Sequence, residues 1–365
     1  MKRHTFWLII ITFFFVTCAF GSAGAPKKRP PSIGVFYYPG WHEGASFSGP
    51  SDPWKNIQAF PDREPMLGWY DDRKTSVIDQ QLAWMSKFGV DYIVFDWYWK
   101  GEGTFLDQSL QAYLKAHNRK SVPFAIMWAN HDAEPRTNES FSLMVKYWID
   151  HYLKRSEYLK INGKPAVFIF LGKNLDEKAR VFDMGLADLL NEAQSMARDA
   201  GLPGITFFLG TGADEFAMHA ASSGASGYFA YNYQVGPYGL TAGESRGSRS
   251  FTELAELYRE HWDWLTEHSD LPYIVPVTAG WDRRPWGGSA DPLHDQSNSD
   301  PAGFSAHLMD AAALLEKRPE STLNSIVVCC WNEYGEGSVI EPTKKWGFDY
   351  LKDIKKISPG FQSVN

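Results

Sequence analysis

The sequence predicts an α/β fold, a single-domain (β/α)8 TIM barrel, from three observations. Eight short apolar runs, rich in β-branched and aromatic residues, are spread along the 365 residues. Amphipathic stretches with helical spacing separate these runs, and polar side chains gather where the runs end. Strands and helices that alternate in this way match the (β/α)8 barrel, which takes roughly 250 residues and more with insertions.

The predicted strands are continuously apolar, as expected of strands that are buried on both faces. They span residues 33–38, 92–97, 124–128, 166–171, 205–209, 228–231, 273–277 and 325–330. The predicted helices span residues 76–88, 106–116, 141–153, 176–200, 215–221, 251–266 and 302–317, with a last turn at 350–356. An open doubly wound sheet is the alternative, but no glycine-rich phosphate loop follows the first strand.

The first helical stretch shows the pattern on which the helices are predicted. Ile78, Leu82 and Met85 recur at spacings of four and three, so they share one face of a helix. Gly89 then follows, a residue type that commonly ends a helix. The stretch therefore predicts a helix that packs one apolar face on the sheet.

Composition and charge narrow the class of ligand. The net charge is -7, the sequence pI is about 5.8 and no basic block stands out, so nucleic acid is not expected as a partner. Aromatic residues make up 15% of the chain. Flat ring faces stack on the C–H faces of sugars, which favours a carbohydrate cleft, although core packing accounts for most of these residues.

The N-terminal segment has the pattern of a secretory signal peptide. Lys2 and Arg3 precede an apolar stretch, residues 5–20, and small residues follow at 21–25. We therefore expect a signal peptide over residues 1–25 and a catalytic domain over 26–365. The mature protein is predicted to be secreted or periplasmic, monomeric and without stable membrane insertion. Lipid attachment at Cys18 is the alternative, but residues 15–17 match a lipobox poorly.

The other two cysteines, Cys329 and Cys330, are neighbours at the end of the eighth run. Adjacent side chains on a strand point to opposite faces, so we expect two buried thiols rather than a disulfide. No spacing of cysteine and histidine suggests zinc. No cofactor and no metal is expected.

Two carboxylates stand directly after the eighth predicted strand. Glu333 and Glu336 are three residues apart, among aromatic residues and glycines. Barrel enzymes keep their catalytic groups at this end of the strands. Glycoside hydrolysis needs two carboxyl groups, one of which protonates the leaving oxygen. We expect Glu333 and Glu336 to be catalytic; the alternative is that they are solvated loop acids.

Other polar and aromatic residues at strand ends are candidates for sugar binding, because they supply hydrogen bonds and stacking faces. They are Tyr38, Asp96, Trp97, Tyr98, Trp128, Asn130, His131, Asn232, Tyr233, Trp281, Asp282, Trp331 and Asn332. The tryptophans could instead pack in the core, Asp96 could cap a loop, and His131 could be a structural histidine. Three long loops, residues 40–68, 234–250 and 281–301, are expected on the same rim.

These motifs resemble the glycoside hydrolase family 99-like proteins, a group that includes the WbsX-type proteins often labelled glycosyltransferases. The resemblance covers residues 33–351. It is carried by Tyr37-Tyr38-Pro39, Asp96-Trp97-Tyr98-Trp99, Trp128-Ala129-Asn130, Gly280-Trp281-Asp282 and Trp331-Asn332-Glu333-Tyr334-Gly335-Glu336-Gly337 followed by Ile340-Glu341-Pro342. The last motif is the most specific.

The resemblance implies a (β/α)8 enzyme related to endo-α-mannosidases and endo-α-mannanases, which retain the anomeric configuration and need no metal. In these enzymes one carboxylate deprotonates the sugar's own 2-hydroxyl, which attacks C1 to give a 1,2-anhydro sugar. Position by position, Glu333 would be that base. Glu336 would protonate the leaving oxygen and then activate water.

Two positions depart from the family pattern. Tyr334-Gly335 replaces the pair of an aromatic residue and histidine in the mannan-cleaving members, which puts the leaving-group contacts in doubt. His131 stands where WbsX-type relatives often have glutamate. The sequence thus predicts a secreted retaining hydrolase of an α-linked, for example mannan-like, glycan. The alternatives are a WbsX-type protein of polysaccharide biosynthesis or modification, and a carbohydrate-binding barrel without activity.

Overall fold

A computed structural model describes residues 30–45, 51–236 and 247–358. The predicted signal peptide and Cys18 lie outside the described residues, as do parts of two of the loops expected on the rim. In the described part of the chain, no helix has both the length and the apolar composition needed to cross a membrane.

Eight parallel strands form a closed barrel. They are β1 (Ser32–Tyr37), β2 (Tyr92–Lys100), β3 (Phe124–Trp128), β4 (Lys164–Ile169), β5 (Thr206–Gly210), β6 (Gly227–Phe229), β7 (Val275–Thr278) and β8 (Ser325–Cys329). From β1 to β6 each strand pairs with the next, β7 pairs with β8, and β8 pairs with β1. A parallel bridge between Tyr228 and Tyr273 joins β6 to β7. The predicted (β/α)8 barrel is confirmed.

Helices cover the outside of the barrel. They are α1 (Thr75–Phe88), α2 (Gln108–Lys115), α3 (Asn138–Trp148), α4 (Gly172–Val181), α5 (Leu186–Asp199), α6 (Glu215–His219), α7 (Phe251–His268), α8 (Pro301–Lys317) and α9 (Asp349–Ile357). Short strands lie at Gly103–Phe105, Lys160–Ile161, Gly280–Trp281, Ser297–Asn298, Asn332–Glu333 and Ser338–Val339. Short 3-10 segments lie at Ile57–Ala59, Pro61–Arg63, His117–Ser121, Ala220–Ser223, Arg284–Trp286 and His294–Gln296, and a π segment at Ile149–Leu153.

Local sequence explains where the helices begin and end. The Ser250 hydroxyl accepts a hydrogen bond from the Glu253 amide at the start of α7, as a capping residue does. Asp300 caps α8 in the same way, and Pro301 follows at the first helical position. All five residues of β8 are buried, because the barrel interior covers one face of the strand and the helices cover the other.

Two predicted elements differ from the structure. The single helix predicted over residues 176–200 is two helices, α4 and α5, because the chain turns at Asp183 with a positive φ of 57° before Gly185 starts the second. Strand β2 also runs on to Lys100, where it pairs in antiparallel fashion with Gly103–Phe105. The apolar pattern continues without a change across the break between α4 and α5 and across the end of β2. It therefore revealed neither the helix break nor the longer strand.

The prediction of two separate thiols at Cys329 and Cys330 is wrong. The structure has a disulfide between them, and the peptide bond that joins them is cis. The prediction assumed that both residues continue the alternation of a strand. Strand β8 ends at Cys329, so that alternation does not extend to Cys330.

Candidate active site

A cavity of about 520 Å³ opens at the carboxyl end of the barrel strands. Its wall contains carboxyl groups, aromatic rings and one guanidinium group. The lining residues are Tyr38, Gly40, Trp41, Pro53, Asn56, Asp96, Tyr98, Met127, Ala129, His131, Phe170, Tyr231, Arg283, Trp286, Glu333 and Glu336. This is the place where enzymes of this fold carry out their chemistry.

Glu333 and Glu336 are held by a small hairpin that follows β8. Asn332–Glu333 pairs in antiparallel fashion with Ser338–Val339, so Glu333 is fixed by a strand while Glu336 stands in the turn. Glu333 is only 3% exposed and Glu336 is half-buried. The hairpin therefore places one carboxyl group on the cavity floor and the other nearer its mouth.

A third carboxyl group lies beside Glu333. The Tyr231 hydroxyl oxygen is 3.0 Å from Asp96 Oδ2 and 3.1 Å from Glu333 Oε1. Their other oxygens, Asp96 Oδ1 and Glu333 Oε2, are buried and have no hydrogen-bond partner within the described residues. Because Tyr231 carries a single proton, both contacts are hydrogen bonds only when one of the two carboxyl groups is protonated.

Burial and mutual repulsion raise the pKa values on the cavity floor. Burial, followed by the charges of Glu336 and Asp96, raises the pKa of Glu333 well above its usual range. Burial, followed by the charge of Glu336, likewise raises the pKa of Asp96. The hydrogen bond with Tyr231 opposes both shifts. The cavity floor therefore favours a state in which Asp96 and Glu333 are not both ionised.

Glu336 has a different environment. Its Oε2 accepts a hydrogen bond of 3.3 Å from the Asn232 side-chain amide. Burial raises its pKa to about 7, and the positive charge of Arg283 limits that rise. A carboxyl group with a pKa near neutrality can hold a proton at pH 7 and release it, as a general acid must.

A fourth acid, Glu341, is fully buried behind the hairpin and does not line the cavity. Its carboxyl group accepts 2.8 Å hydrogen bonds from Tyr70 Oη, Tyr334 Oη and Gln81 Nε2. Burial raises its pKa to about 7, and these hydrogen bonds oppose the rise. Because Tyr334 lies between Glu333 and Glu336 in the sequence, Glu341 anchors the segment that carries both.

A second anchor holds the hairpin from the side of β7. The Arg63 guanidinium forms an ion pair with Asp282 and donates to the Tyr334 carbonyl oxygen at 2.7 Å. The Asp282 amide donates to the Glu336 carbonyl oxygen at 2.6 Å. Burial acts to raise the pKa of Asp282, but the hydrogen bond from Arg284 and the charge of Arg63 bring it below its usual value.

The structure brings one group of the predicted site residues to the cavity. Tyr38, Asp96, Tyr98, His131, Glu333 and Glu336 line its wall, and Asn232 contacts Glu336. Tyr98 and His131 approach each other at 6.0 Å between ring centroids. The site thus joins residues of β2 with the segments that follow β1, β3, β6 and β8.

The other predicted residues are not on that wall and have contacts of a structural kind. Trp97 and Trp128 pack against Trp148 of α3, and Trp331 is fully buried. Asn130 pairs with the backbone of Leu171, and Asn332 with that of Tyr38. Tyr233 stacks on His261, Trp281 stacks on His294, and Asp282 pairs with Arg63 and Arg284.

Several wall residues were not predicted as site residues, Tyr231, Arg283 and Trp286 among them. Tyr231 ends a predicted strand, and Arg283 and Trp286 belong to a predicted rim loop. Both locations are where residues that line the cavity are expected, so the sequence did contain a signal for them. Trp286 lies against Gly335, where an added Cβ would be 2.0 Å from indole Cε2. Only glycine at position 335 admits this ring. No group of three or more potential metal ligands in the described ranges is arranged to hold a metal ion.

Comparisons with known proteins agree with this architecture. A solved GH99 endo-alpha-mannosidase from Bacteroides thetaiotaomicron is 18% identical, with a TM-score of 0.61, over 90% of this chain and 97% of that one. A solved structure described as a glycoside hydrolase-like protein is 14% identical, with a TM-score of 0.67, over 92% and 97%. At these identities the likeness is one of fold.

Sequence comparison adds the family. Proteins described as uncharacterized protein WxcX, from two strains of Xanthomonas campestris pv. campestris, are 21% identical over 364 residues, which cover 91% of this chain and 50% of theirs. The chain spans about half the length of these curated relatives. A family model described as Glycosyltransferase WbsX matches residues 58–354. The resemblance read from the motifs is thus confirmed, and the chain belongs to the WbsX glycosyltransferase family.

Proposed function

We propose that this protein is a retaining glycoside hydrolase that cleaves an α-linked glycan, with mannan-type polysaccharides as the first class to test. The observation that carries the proposal is the pair Glu333 and Glu336 in one aromatic cavity, with different burial and different partners. The proposal includes export of the mature protein through the segment 1–25 and a monomeric state in solution.

Glu336 is the general acid in this proposal. It is half-buried at the side of the cavity near the mouth, and burial raises its pKa to about 7. It donates a proton to the glycosidic oxygen as the bond to C1 breaks. In the second step it takes a proton from the water that attacks C1, so the proton count returns to its starting value and the configuration at C1 is retained.

Glu333 is the base that removes the proton of the 2-hydroxyl, and O2 then attacks C1 to give a 1,2-anhydro sugar. When water attacks C1 in the second step, the C1–O2 bond breaks and Glu333 returns its proton to O2. For this role Glu333 must be ionised at the moment of reaction. We assign a proton to the Asp96 carboxyl group, which donates to the Tyr231 oxygen while the Tyr231 hydroxyl donates to Glu333. In this arrangement each of the two contacts contains one proton, and the hydrogen bond from Tyr231 stabilises the negative charge on Glu333.

A product assay on a panel of α-linked glycans, mannans included, tests the proposal. Wild type should release oligosaccharides, and Glu336→Gln and Glu333→Gln should each lower kcat/KM by about 10²–10⁴-fold, because each removes one proton-transfer group. Glu320→Gln, the same change at an exposed position of the chain, is the matched control and should leave the rate unchanged. Full activity of the double variant Glu333→Gln/Glu336→Gln would refute the assignment.

The family description favours one rival, a glycosyl-transfer role in polysaccharide biosynthesis or modification. That rival predicts binding of a nucleotide sugar, which calorimetry can detect, and it predicts no oligosaccharide release. If the barrel only binds carbohydrate, both glutamine variants should keep their affinity for the glycan. Neither wild type nor either variant should then form product. The same purified variants therefore separate the three functions.

A further inference from the structure

The cavity has a buried floor and an open side, and the catalytic acid of the proposed function stands between them. Asp96 and Glu333 on the floor are 5% and 3% exposed. Asn56 and Arg283 on the open side are exposed, and so is Trp286 at 36%. Glu336 is intermediate. This gradient of solvent exposure orients the bound substrate. The sugar that contacts the base Glu333 lies at the buried floor, and the rest of the glycan extends toward the open side.

Two contacts of Trp286 and one of the preceding residue hold this ring at the open side. The ring lies against Gly335, the residue before Glu336. It approaches Tyr38 edge to face, with 5.6 Å between the ring centroids. The Asn56 side-chain amide donates to the Pro285 carbonyl oxygen at 3.0 Å, which ties the Arg284–Trp286 turn to the loop after β1. The indole is thus held beside the general acid and still exposes more than a third of its surface.

We infer that Trp286 is the stacking platform for the sugar that leaves, and that the natural leaving group is therefore a second sugar rather than a small aglycone. A proton from Glu336 reaches the glycosidic oxygen, so the leaving sugar lies on the Glu336 side of the cut bond. The exposed aromatic side chain on that side of the cavity wall is Trp286. An indole offers the flat apolar surface on which the C–H face of a sugar packs.

This inference rests on the proposed function, and it deepens that function by assigning the second binding position. The absence of a side chain at 335 leaves the space that the indole fills, since a Cβ there would be 2.0 Å from the ring. The loop after β7 supplies the ring that fills this space.

The test compares two substrates with the same cleaved sugar, an oligosaccharide and the corresponding glycosyl fluoride. Fluoride has no face to stack and needs little help to depart. Trp286→Ala should lower kcat/KM for the oligosaccharide on the order of tenfold or more and that for the fluoride less than about threefold. Trp286→Phe keeps an aromatic face and should recover most of the loss. Trp264→Ala, on α7, removes a partly exposed indole away from the cavity wall and is the matched control.

Gly335→Ala is a second route to the same effect, because its methyl group meets the ring and leaves residue 286 unchanged. It should show the same preference for the fluoride. Equal losses on both substrates, or no loss on either, for folded Trp286→Ala would overturn the inference.

A binding measurement keeps the inference testable if wild type cleaves neither substrate, which would refute the hydrolase proposal alone. In the Glu336→Gln background, calorimetry with a mannan disaccharide and with its non-reducing monosaccharide as a methyl glycoside compares the two lengths. Trp286→Ala should weaken binding of the disaccharide on the order of tenfold and leave that of the monosaccharide unchanged. Equal effects on the two ligands would overturn the inference by this route as well.

Discussion

Two groups of acidic side chains surround the same hairpin, and they differ in the number of hydrogen-bond donors that each receives. Asp96 and Glu333 share one hydroxyl proton and each keep a buried oxygen without a partner within the described residues. Glu341, behind the hairpin, accepts from three donors. Asp282, beside it, accepts from Arg63, Arg284 and Asn298.

The difference separates acids that are available for chemistry from acids that hold the structure. A buried carboxyl oxygen without a partner costs stability, so its persistence calls for a ligand or a reaction that uses it. A carboxylate with three donors has little capacity left for a substrate. The well-satisfied acids fix the backbone of Tyr334 and Glu336, and this fixed backbone supports the under-satisfied ones.

The sharpest test makes the same change in each group and has the largest expected effect. Glu341→Gln should lower the free energy of unfolding by about 1–3 kcal/mol at pH 8, because the amide leaves at least one of three buried donors facing another N–H group. Glu333→Gln should leave that free energy unchanged or raised, because it removes a buried charge beside two other acids. Denaturant titrations at pH 8, where Glu341 is ionised, measure both.

The activity assay should show the reverse order for the same two variants. Glu333→Gln loses the proposed base, whereas Glu341→Gln retains every group on the cavity wall. Similar stability losses in the two variants would mean that donor count does not separate the two groups of acids.

The sequence predicted the barrel and the two glutamates, because both depend on patterns that are local in the chain. Buried parallel strands are continuous apolar runs, and Glu333 and Glu336 belong to one short motif. The tryptophans were harder, because a residue at a strand end faces inward or outward according to a period of two. Asp96 lines the cavity, so its neighbour Trp97 faces α3 and packs on Trp148. Met127 and Trp128 repeat this arrangement.

The remaining site residues depend on loop geometry that the sequence does not encode locally. Strand β6 ends at Phe229, so no strand period decides which of Tyr231, Asn232 and Tyr233 enters the cavity. Tyr231 does, while Tyr233 turns to the Tyr273 hydroxyl. The contact between Trp286 and Gly335 joins segments that follow two different strands, and no residue spacing in the sequence predicts it.

A second prediction concerns the geometry that Arg63 imposes on the hairpin. Arg63→Lys keeps a charge for Asp282 but loses the fork that also reaches the Tyr334 carbonyl oxygen. We expect kcat to fall about tenfold with little change in KM, because a small displacement of Glu336 misaligns proton transfer. Arg284→Lys is the matched control, because Arg284 pairs with the same carboxylate but, within the described residues, does not hydrogen-bond to the hairpin. Equal losses in the two variants would assign the effect to Asp282 alone.

The smallest expected effect concerns Arg283, which links the under-satisfied acids to the open side of the cavity. Glu336 must be protonated to act as an acid, so kcat/KM should fall as the pH rises through about 7, the pKa to which burial raises this group. The positive charge of Arg283 favours the ionised form of Glu336. Arg283→Gln removes that charge and raises the pKa of Glu336 further, so the alkaline limb of the pH profile should move up by about half to one pH unit. Arg284→Gln should leave the limb in place, and a downward shift in Arg283→Gln would mean that another group sets it.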